Sequence, residues 1–228
     1  MRGERRRRAV TSSSGVLIVG LGRFGSATAR SLMQMGREVM AIETNPELVQ
    51  EWSPKLTHVV EADATHLDVL RQLGAGEFST AVVGIGSSIE ASVLTTANLT
   101  DLGVEKIWAK AISEAHGKIL RRIGAEHVLY PETEAGDRVA HLMNSRMLDY
   151  IDFDDGHFAV VKMRPPEEAK GLTLAEARIR DTYGVTVVGI KAPGKDFTYA
   201  DMDTRMGSQD VLIVAGHVDK LRRFAGRP

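Results

Sequence analysis

Residues 16–25 read "VLIVGLGRFG": an unbroken apolar run, then glycines at 20, 22 and 25, with Arg23 and Phe24 between the last two. Four consecutive apolar residues with β-branched ends predict a strand buried on both faces, as in a parallel sheet covered by helices. "FGSATARSLMQMG" follows with helical spacing and closes at Gly36. Glycines placed between such a strand and helix have separate uses. Gly20 permits a tight turn, Gly22 lets backbone N–H groups approach a pyrophosphate, and Gly25 lets the helix pack closely on the strand. The start of the helix adds a dipole that favours an anion. A second anchor stands where this motif requires one: Glu43 ends the next apolar run, "REVMAIE". A carboxylate there accepts ribose hydroxyls and repels a 2′-phosphate, which disfavours NADP.

The same alternation continues outward from this unit. "NPELVQEW" is a short helix with Asn45 as its cap and Pro46 at its first position. "THVVEAD", "TAVVGIG", "KIWAKA" and "HVLYP" supply further strands, with helices between them. Six strands separated by five helices predict a doubly wound, parallel, Rossmann-like α/β sheet over residues 15–131. Its carboxyl-end crevice gathers the remaining candidates. Asp63, Ala64 and Thr65 follow the third strand, where an adenine edge would lie. Gly84, Ile85 and Gly86 follow the fourth, with Ser87 and Ser88 opening a helix, and Lys110 ends the fifth. Arg23 bears on which nucleotide suits the site. A dinucleotide holds its pyrophosphate with backbone amides, whereas terminal phosphates carry more charge for a guanidinium to neutralise. Arg23 therefore points toward ATP or ADP, with NAD(H) as the other reading.

The pattern changes after Pro131. "ETEAGDRVAHLMNSRML" reads as a linking helix over 132–147, with apolar positions near Val139, Leu142, Met143 and Met147. Residues 148–228 form a second, smaller α+β domain. "HFAVVKMR", "LTLAEARI", "YGVTVVGIKAPG", "DFTYAD" and "QDVLIVAGHVDKLRRF" are its strand-rich segments, with turn signals at "DDG", "APG" and "MGSQD". At the other end, residues 1–14 read as a disordered basic tail. "MRGERRRRAV" carries a charge of +4, which leaves −5 on the remainder of a chain whose formal charge is −1. A mildly acidic body argues against a phosphate-backbone footprint, so no nucleic-acid partner is expected.

Composition narrows the function classes further. There is no apolar run of about 18 residues to cross a bilayer. Without cysteine there are no disulfides, thiolate metal sites or thiol nucleophiles. Reactive constellations are missing too. The Tyr-x-x-x-Lys pairing of short-chain reductases fails at Tyr130, Tyr150, Tyr183 and Tyr199, which are followed four residues on by Glu134, Asp154, Val187 and Asp203. The seven histidines are scattered with no metallohydrolase spacing, and no G-x-S-x-G or Walker lysine loop occurs. An NAD-dependent oxidoreductase using the same site stays as the alternative to a binding protein.

Taken together, "GLGRFG", "DAT", "GIGSSIEASVLTT", "IWAKA", "IGAEHVLYPETEAG" and "YGVTVVGIK" resemble the RCK family, the TrkA/KtrA-type cytoplasmic regulators of potassium channels and transporters. The resemblance runs from about Gly15 to Phe224 and covers one RCK unit with no pore. It implies a non-enzymatic regulatory subunit, cytoplasmic and peripheral to the inner face of the membrane. ATP, ADP or NAD(H) would bind the N-terminal domain. Protomers would pair and assemble into an octameric ring beneath a membrane-embedded KtrB/TrkH-type potassium transporter subunit, with ATP favouring the open ring. By the same resemblance Arg23 reaches the terminal phosphates near the dimer interface, and Glu132 helps to hold a divalent cation, Mg2+ or Ca2+. "LTLAEARIRDTYGV" covers a segment that binds cyclic di-AMP in some relatives. One departure is Glu90, where relatives often carry a neutral amide.

Overall fold

The computed structural model describes residues 15–143, 146–153 and 156–226. The expected basic tail over 1–14 and two residues of the "DDG" turn signal lie outside the described residues. The chain divides after Glu132 into two compact units.

The first unit is a six-stranded sheet of β1 (Val16–Val19), β2 (Val39–Glu43), β3 (His58–Glu61), β4 (Thr80–Val83), β5 (Lys106–Lys110) and β6 (His127–Leu129). The spatial order is β3-β2-β1-β4-β5-β6 and every pair is parallel. Five helices connect them: α1 (Arg23–Gln34), α2 (Pro46–Trp52), α3 (Leu67–Gln72), α4 (Ile89–Asp101) and α5 (Glu114–Arg122). All of β1 is buried because both faces of the sheet are covered. Val16 and Ile18 pack with Ala29 and Trp52 of α1 and α2. Leu17 and Val19 pack on the opposite side with Leu70, Leu99 and Leu120 of α3, α4 and α5. This double cover explains why β1 is continuously apolar, with no alternation. The strand order reverses between β1 and β4, which opens a crevice at their carboxyl ends.

Local signals set the helix starts. Asn45 Oδ1 accepts from the Glu47 N–H at 2.9 Å, Ser88 Oγ from Ala91 at 3.1 Å and Ser113 Oγ from His116 at 3.2 Å. Gly36, at φ +78°, takes the left-handed turn that closes α1.

The second unit holds β7 (Met147–Asp152), β8 (Phe158–Met163), β9 (Thr186–Lys191), β10 (Thr198–Tyr199) and β11 (Val211–His217). They form an antiparallel sheet in the order β10-β9-β11-β8-β7. The short helices α7 (Leu174–Ala177) and α8 (Ile179–Tyr183) accompany the sheet, as does α9 (Val218–Ala225). Phe224 and Leu221 of α9 are buried in a core with Met163, Leu212 and Val214.

Two expectations need correction. The helix α6 runs Pro131–Met143, and Met147, counted on its apolar face, is instead the buried first residue of β7. Leu148 has no partner in the register between Met147 and Asp149, so β7 carries a bulge. That extra residue breaks the two-residue alternation that would have marked a strand and leaves apolar residues at helix-like spacing. "LTLAEARI", read among the strand-rich segments, forms α7 and the start of α8. Thr173 and Glu176 close a reciprocal capping box there, which specifies a helix start.

Candidate functional site

The crevice at the carboxyl ends of the first sheet holds a cavity of about 840 Å3. Its floor is the glycine turn after β1. Gly20 sits at φ +91°, a conformation that other residues rarely adopt, and its N–H donates to the Ile42 carbonyl at 2.9 Å. Gly25 is buried, and a Cβ there would lie 1.9 Å from the Gly20 carbonyl oxygen. It brings α1 onto the turn and does not itself reach the cavity. Gly22 differs from both. At φ −60° it needs no special freedom, and a Cβ would meet no protein atom within 4 Å, yet it lines the cavity at the cap of α1. The protein's own packing does not demand a glycine there. Arg23 and Phe24, the first residues of α1, also line the cavity, and the first-turn N–H groups of any helix lack partners within it.

Glu43 ties two loops together beside this floor. Its Oε2 accepts from the Leu21 N–H at 2.6 Å, and its Oε1 from the N–H groups of Thr44 and Asn45 at 2.8 and 2.9 Å. The carboxylate is thus fixed at the cavity edge, next to Asn45. One end of the cavity is the turn after β3. Asp63 Oδ1 accepts from both the N–H and the hydroxyl of Thr65, at 2.9 and 2.7 Å, and these bonds hold its carboxyl below the ordinary aspartate range. Asn98 of α4 braces the same turn by donating to the Thr65 carbonyl at 2.9 Å.

The other end gathers charge. Lys110 Nζ lies 2.6 Å from Glu132 Oε1, and its side chain is only 12% exposed. Gly86 makes room for it, since a Cβ there would lie 3.1 Å from the ammonium. Bonding to Lys110 keeps the Glu132 carboxyl below the usual range, and the nearby charge of Arg23 acts in the same direction. Among the described residues no three His, Cys, Asp or Glu side chains gather as a metal site. Glu132 is a lone carboxylate, which suits a cation whose remaining ligands are phosphate oxygens and water.

The structure therefore brings Gly20, Gly22, Arg23, Phe24, Glu43, Asn45, Asp63, Ala64, Thr65, Gly84, Ile85, Gly86, Lys110 and Glu132 to one cavity, and leaves Gly25 behind the turn. Sequence reasoning did not find Leu48, Thr95 or Ile112, which are among the further residues of the wall.

The family model for the TrkA-N domain matches residues 16–131, and that for the TrkA-C domain matches 158–226. The chain is 37% identical to the Ktr system potassium uptake protein C of Bacillus subtilis over 92% of this chain and 95% of that protein. It is 34% identical to the Ktr system potassium uptake protein A of the same organism, over 91% and 93%. Among solved structures, the GsuK RCK domain superposes with a TM-score of 0.67 at 21% identity. That match covers 94% of this chain and 48% of that one, so this chain spans about half its length. A GsuK channel bound to NAD shares the fold with a TM-score of 0.64 at 20% identity, over 92% of this chain and 38% of that one. With one unit matching each model and relatives at this identity along nearly the whole chain, the protein belongs to the family built from a TrkA-N domain followed by a TrkA-C domain.

Proposed function

We propose that this chain is the cytoplasmic regulatory subunit of a potassium uptake system, and that adenine nucleotides bound in the first-unit cavity set its conformation. The relatives named as Ktr potassium uptake proteins support the transport role, and none of those reported above is named as an oxidoreductase. The observation that carries the nucleotide reading is the division of the cavity. A glycine turn and a fixed carboxylate stand in the middle, a short-turn edge at one end, and the cations Arg23 and Lys110 at the other.

The mechanism follows from charge and linkage. A ligand moves an equilibrium between two forms only by its difference in affinity for them. ATP adds a γ-phosphate at the cationic end. There Lys110 is already shared with Glu132, which stands in the first turn of α6. A terminal phosphate competes for that ammonium and draws on Arg23, so the head of α6 has different partners with ATP than with ADP. Mg2+ or Ca2+ between the phosphates and Glu132 would relieve the competition. Copies of the chain pair and close into an octameric ring, which passes the change to a membrane-embedded KtrB/TrkH-type subunit that carries the ion. No helix among the described residues is long and apolar enough to cross a membrane, so attachment to it falls to that partner. NAD(H) is the second nucleotide reading, since Glu43 suits any ribose with free hydroxyls. In the second unit a cavity of about 370 Å3, lined by Arg178, Arg180 and Asp181, is our candidate for cyclic di-AMP.

Calorimetric titration of ATP and ADP into wild type and Arg23→Ala tests the reading. Loss of a charge-assisted contact to the γ-phosphate lowers ATP affinity by about tenfold or more and leaves ADP less affected. An unchanged ATP/ADP ratio removes Arg23 from the mechanism. Indifference of the wild type to every adenine nucleotide, or steady turnover of a hydride donor, removes the reading itself.

A further inference from the structure

The hydroxyl of Thr95 stands apart from the other helical threonines of the first unit. Thr28, Thr96 and Thr100 each donate to the carbonyl four residues earlier, at 3.0, 2.8 and 3.0 Å. Thr95, in the same helix as the last two, is wholly buried, and its Oγ1 has no hydrogen-bond partner among the described residues. A buried hydroxyl left unpaired is costly and rare in folded proteins. Ser92 Oγ on α4 is also unpartnered, but it does not border the cavity, whereas Thr95 forms part of the cavity wall.

Position says what Thr95 would meet. Asn98, three residues on, holds the carbonyl of Thr65, so this face of α4 abuts the turn that carries Asp63 and Ala64. That is the end of the cavity away from Lys110 and Glu132. Ala62 and Ala64 offer apolar surface here to a flat ring, while the Asp63 carboxylate in the same turn is engaged by Thr65. A slot of this kind orients its occupant through the few polar groups it contains. Threonine in a helix has two accessible χ1 wells, so its hydroxyl can turn toward the slot.

We propose that Thr95 is a base-anchoring residue, whose hydroxyl donates to a ring nitrogen of the purine bound in this cavity. The inference rests on the nucleotide reading of the cavity and adds the group that fixes the base.

The test is calorimetric titration of ADP, its 1-, 3- and 7-deaza analogues, and inorganic pyrophosphate into wild type, Thr95→Val and Thr95→Ser. Valine keeps the shape and removes the hydroxyl. Its expected effect is an ADP affinity about tenfold lower, with pyrophosphate binding unchanged and a melting temperature no lower than wild type. Serine keeps the hydroxyl and retains ADP binding to within about threefold. One deaza analogue should bind wild type about tenfold more weakly than ADP does, and bind Thr95→Val no more weakly than ADP does. The proposal is overturned if Thr95→Val binds ADP as wild type does, if it loses ADP and pyrophosphate alike, or if no deaza analogue discriminates. If wild type binds no ADP at all, the nucleotide reading falls, and that outcome is distinct from the other three.

Discussion

Replacing Gly25 and Gly22 separately by alanine should divide stability from ligand binding within one turn. At Gly25 the new Cβ would lie 1.9 Å from the Gly20 carbonyl oxygen and 3.1 Å from its carbonyl carbon. The contacted atom is backbone in a tight turn, so α1 or the turn must move by more than an ångström. Overpacking in a well-packed site costs about 1–3 kcal/mol and at times more, and a backbone clash belongs at the upper end. Alanine in a helix recovers about 1 kcal/mol relative to glycine, which leaves a net loss of about 2 kcal/mol or more. For a chain of this size that lowers the melting temperature by roughly 4–8 °C. At Gly22 the same Cβ meets no protein atom within 4 Å, and the backbone at φ −60° and ψ −174° admits alanine. A poorer helix cap costs a few tenths of a kcal/mol or more, and the stiffer unfolded chain returns about 0.4–1 kcal/mol, so Gly22→Ala melts close to wild type. Its methyl group stands where phosphate oxygens would approach the backbone, so nucleotide affinity should fall tenfold or more. Thermal melts and calorimetric titration of ADP on both variants read the two effects. If Gly25→Ala melts as wild type does, the packing account is wrong. If Gly22→Ala binds ADP as wild type does, that glycine has no ligand to accommodate.

Two further outcomes follow from the carboxylates. Glu43→Gln presents an amide N–H to either Leu21 or the Thr44–Asn45 pair, so one backbone donor loses its acceptor. Thermal unfolding should show a loss of about 1–3 kcal/mol, with weaker nucleotide binding from the misplaced loop. At Glu132, bonding to Lys110 lowers the folded carboxyl below its unfolded value. The stability it contributes is therefore complete above the ordinary glutamate range and is lost as pH falls through the lowered folded value. The gap in melting temperature between wild type and Glu132→Gln should be open at pH 7 and close in acid, below the ordinary glutamate range. A gap that persists in acid would show that the pair does not stabilise the fold through charge.

The parts of this protein that were legible in its sequence are those whose signals are local. β1 announces itself because it is buried on both faces, and the caps at Asn45 and Ser88 lie within three residues of the amides they satisfy. The glycine turn and Glu43 are joined by one crossover, so a fixed spacing predicts their meeting. β7 was hidden because the bulge at Leu148 cancels the alternation that names a strand, leaving Met147 at a spacing that continues the helix face of Val139, Leu142 and Met143. Thr95 was hidden for another reason. Its significance is a hydroxyl that fails to make a bond its neighbours make, and residue type alone does not record a missing bond.

The ion pair of Lys110 and Glu132 was legible only in halves. Each residue was placed at the site, but their meeting depends on β5 and β6 pairing side by side, with Lys110 opposite Leu129 three residues before Glu132. That adjacency changes what both residues mean. Alone, Lys110 is a cation awaiting a phosphate, and Glu132 an acid awaiting a metal ion. Together each is the other's present partner, at 2.6 Å with the lysine largely enclosed. A phosphate gains Lys110 only by the difference between its own attraction and that of Glu132, and a divalent cation gains Glu132 on the same terms. If both arrive together, as a metal–nucleotide complex, the two exchanges compensate and neither charge is left unpaired. Nucleotide affinity in the wild type should therefore rise on adding Mg2+, and the rise should vanish in Glu132→Gln, whose Lys110 is already free. Calorimetry with and without Mg2+ measures both. An equal rise in the two proteins would mean that the metal is held by the phosphates alone and that Glu132 serves only to hold Lys110 in place.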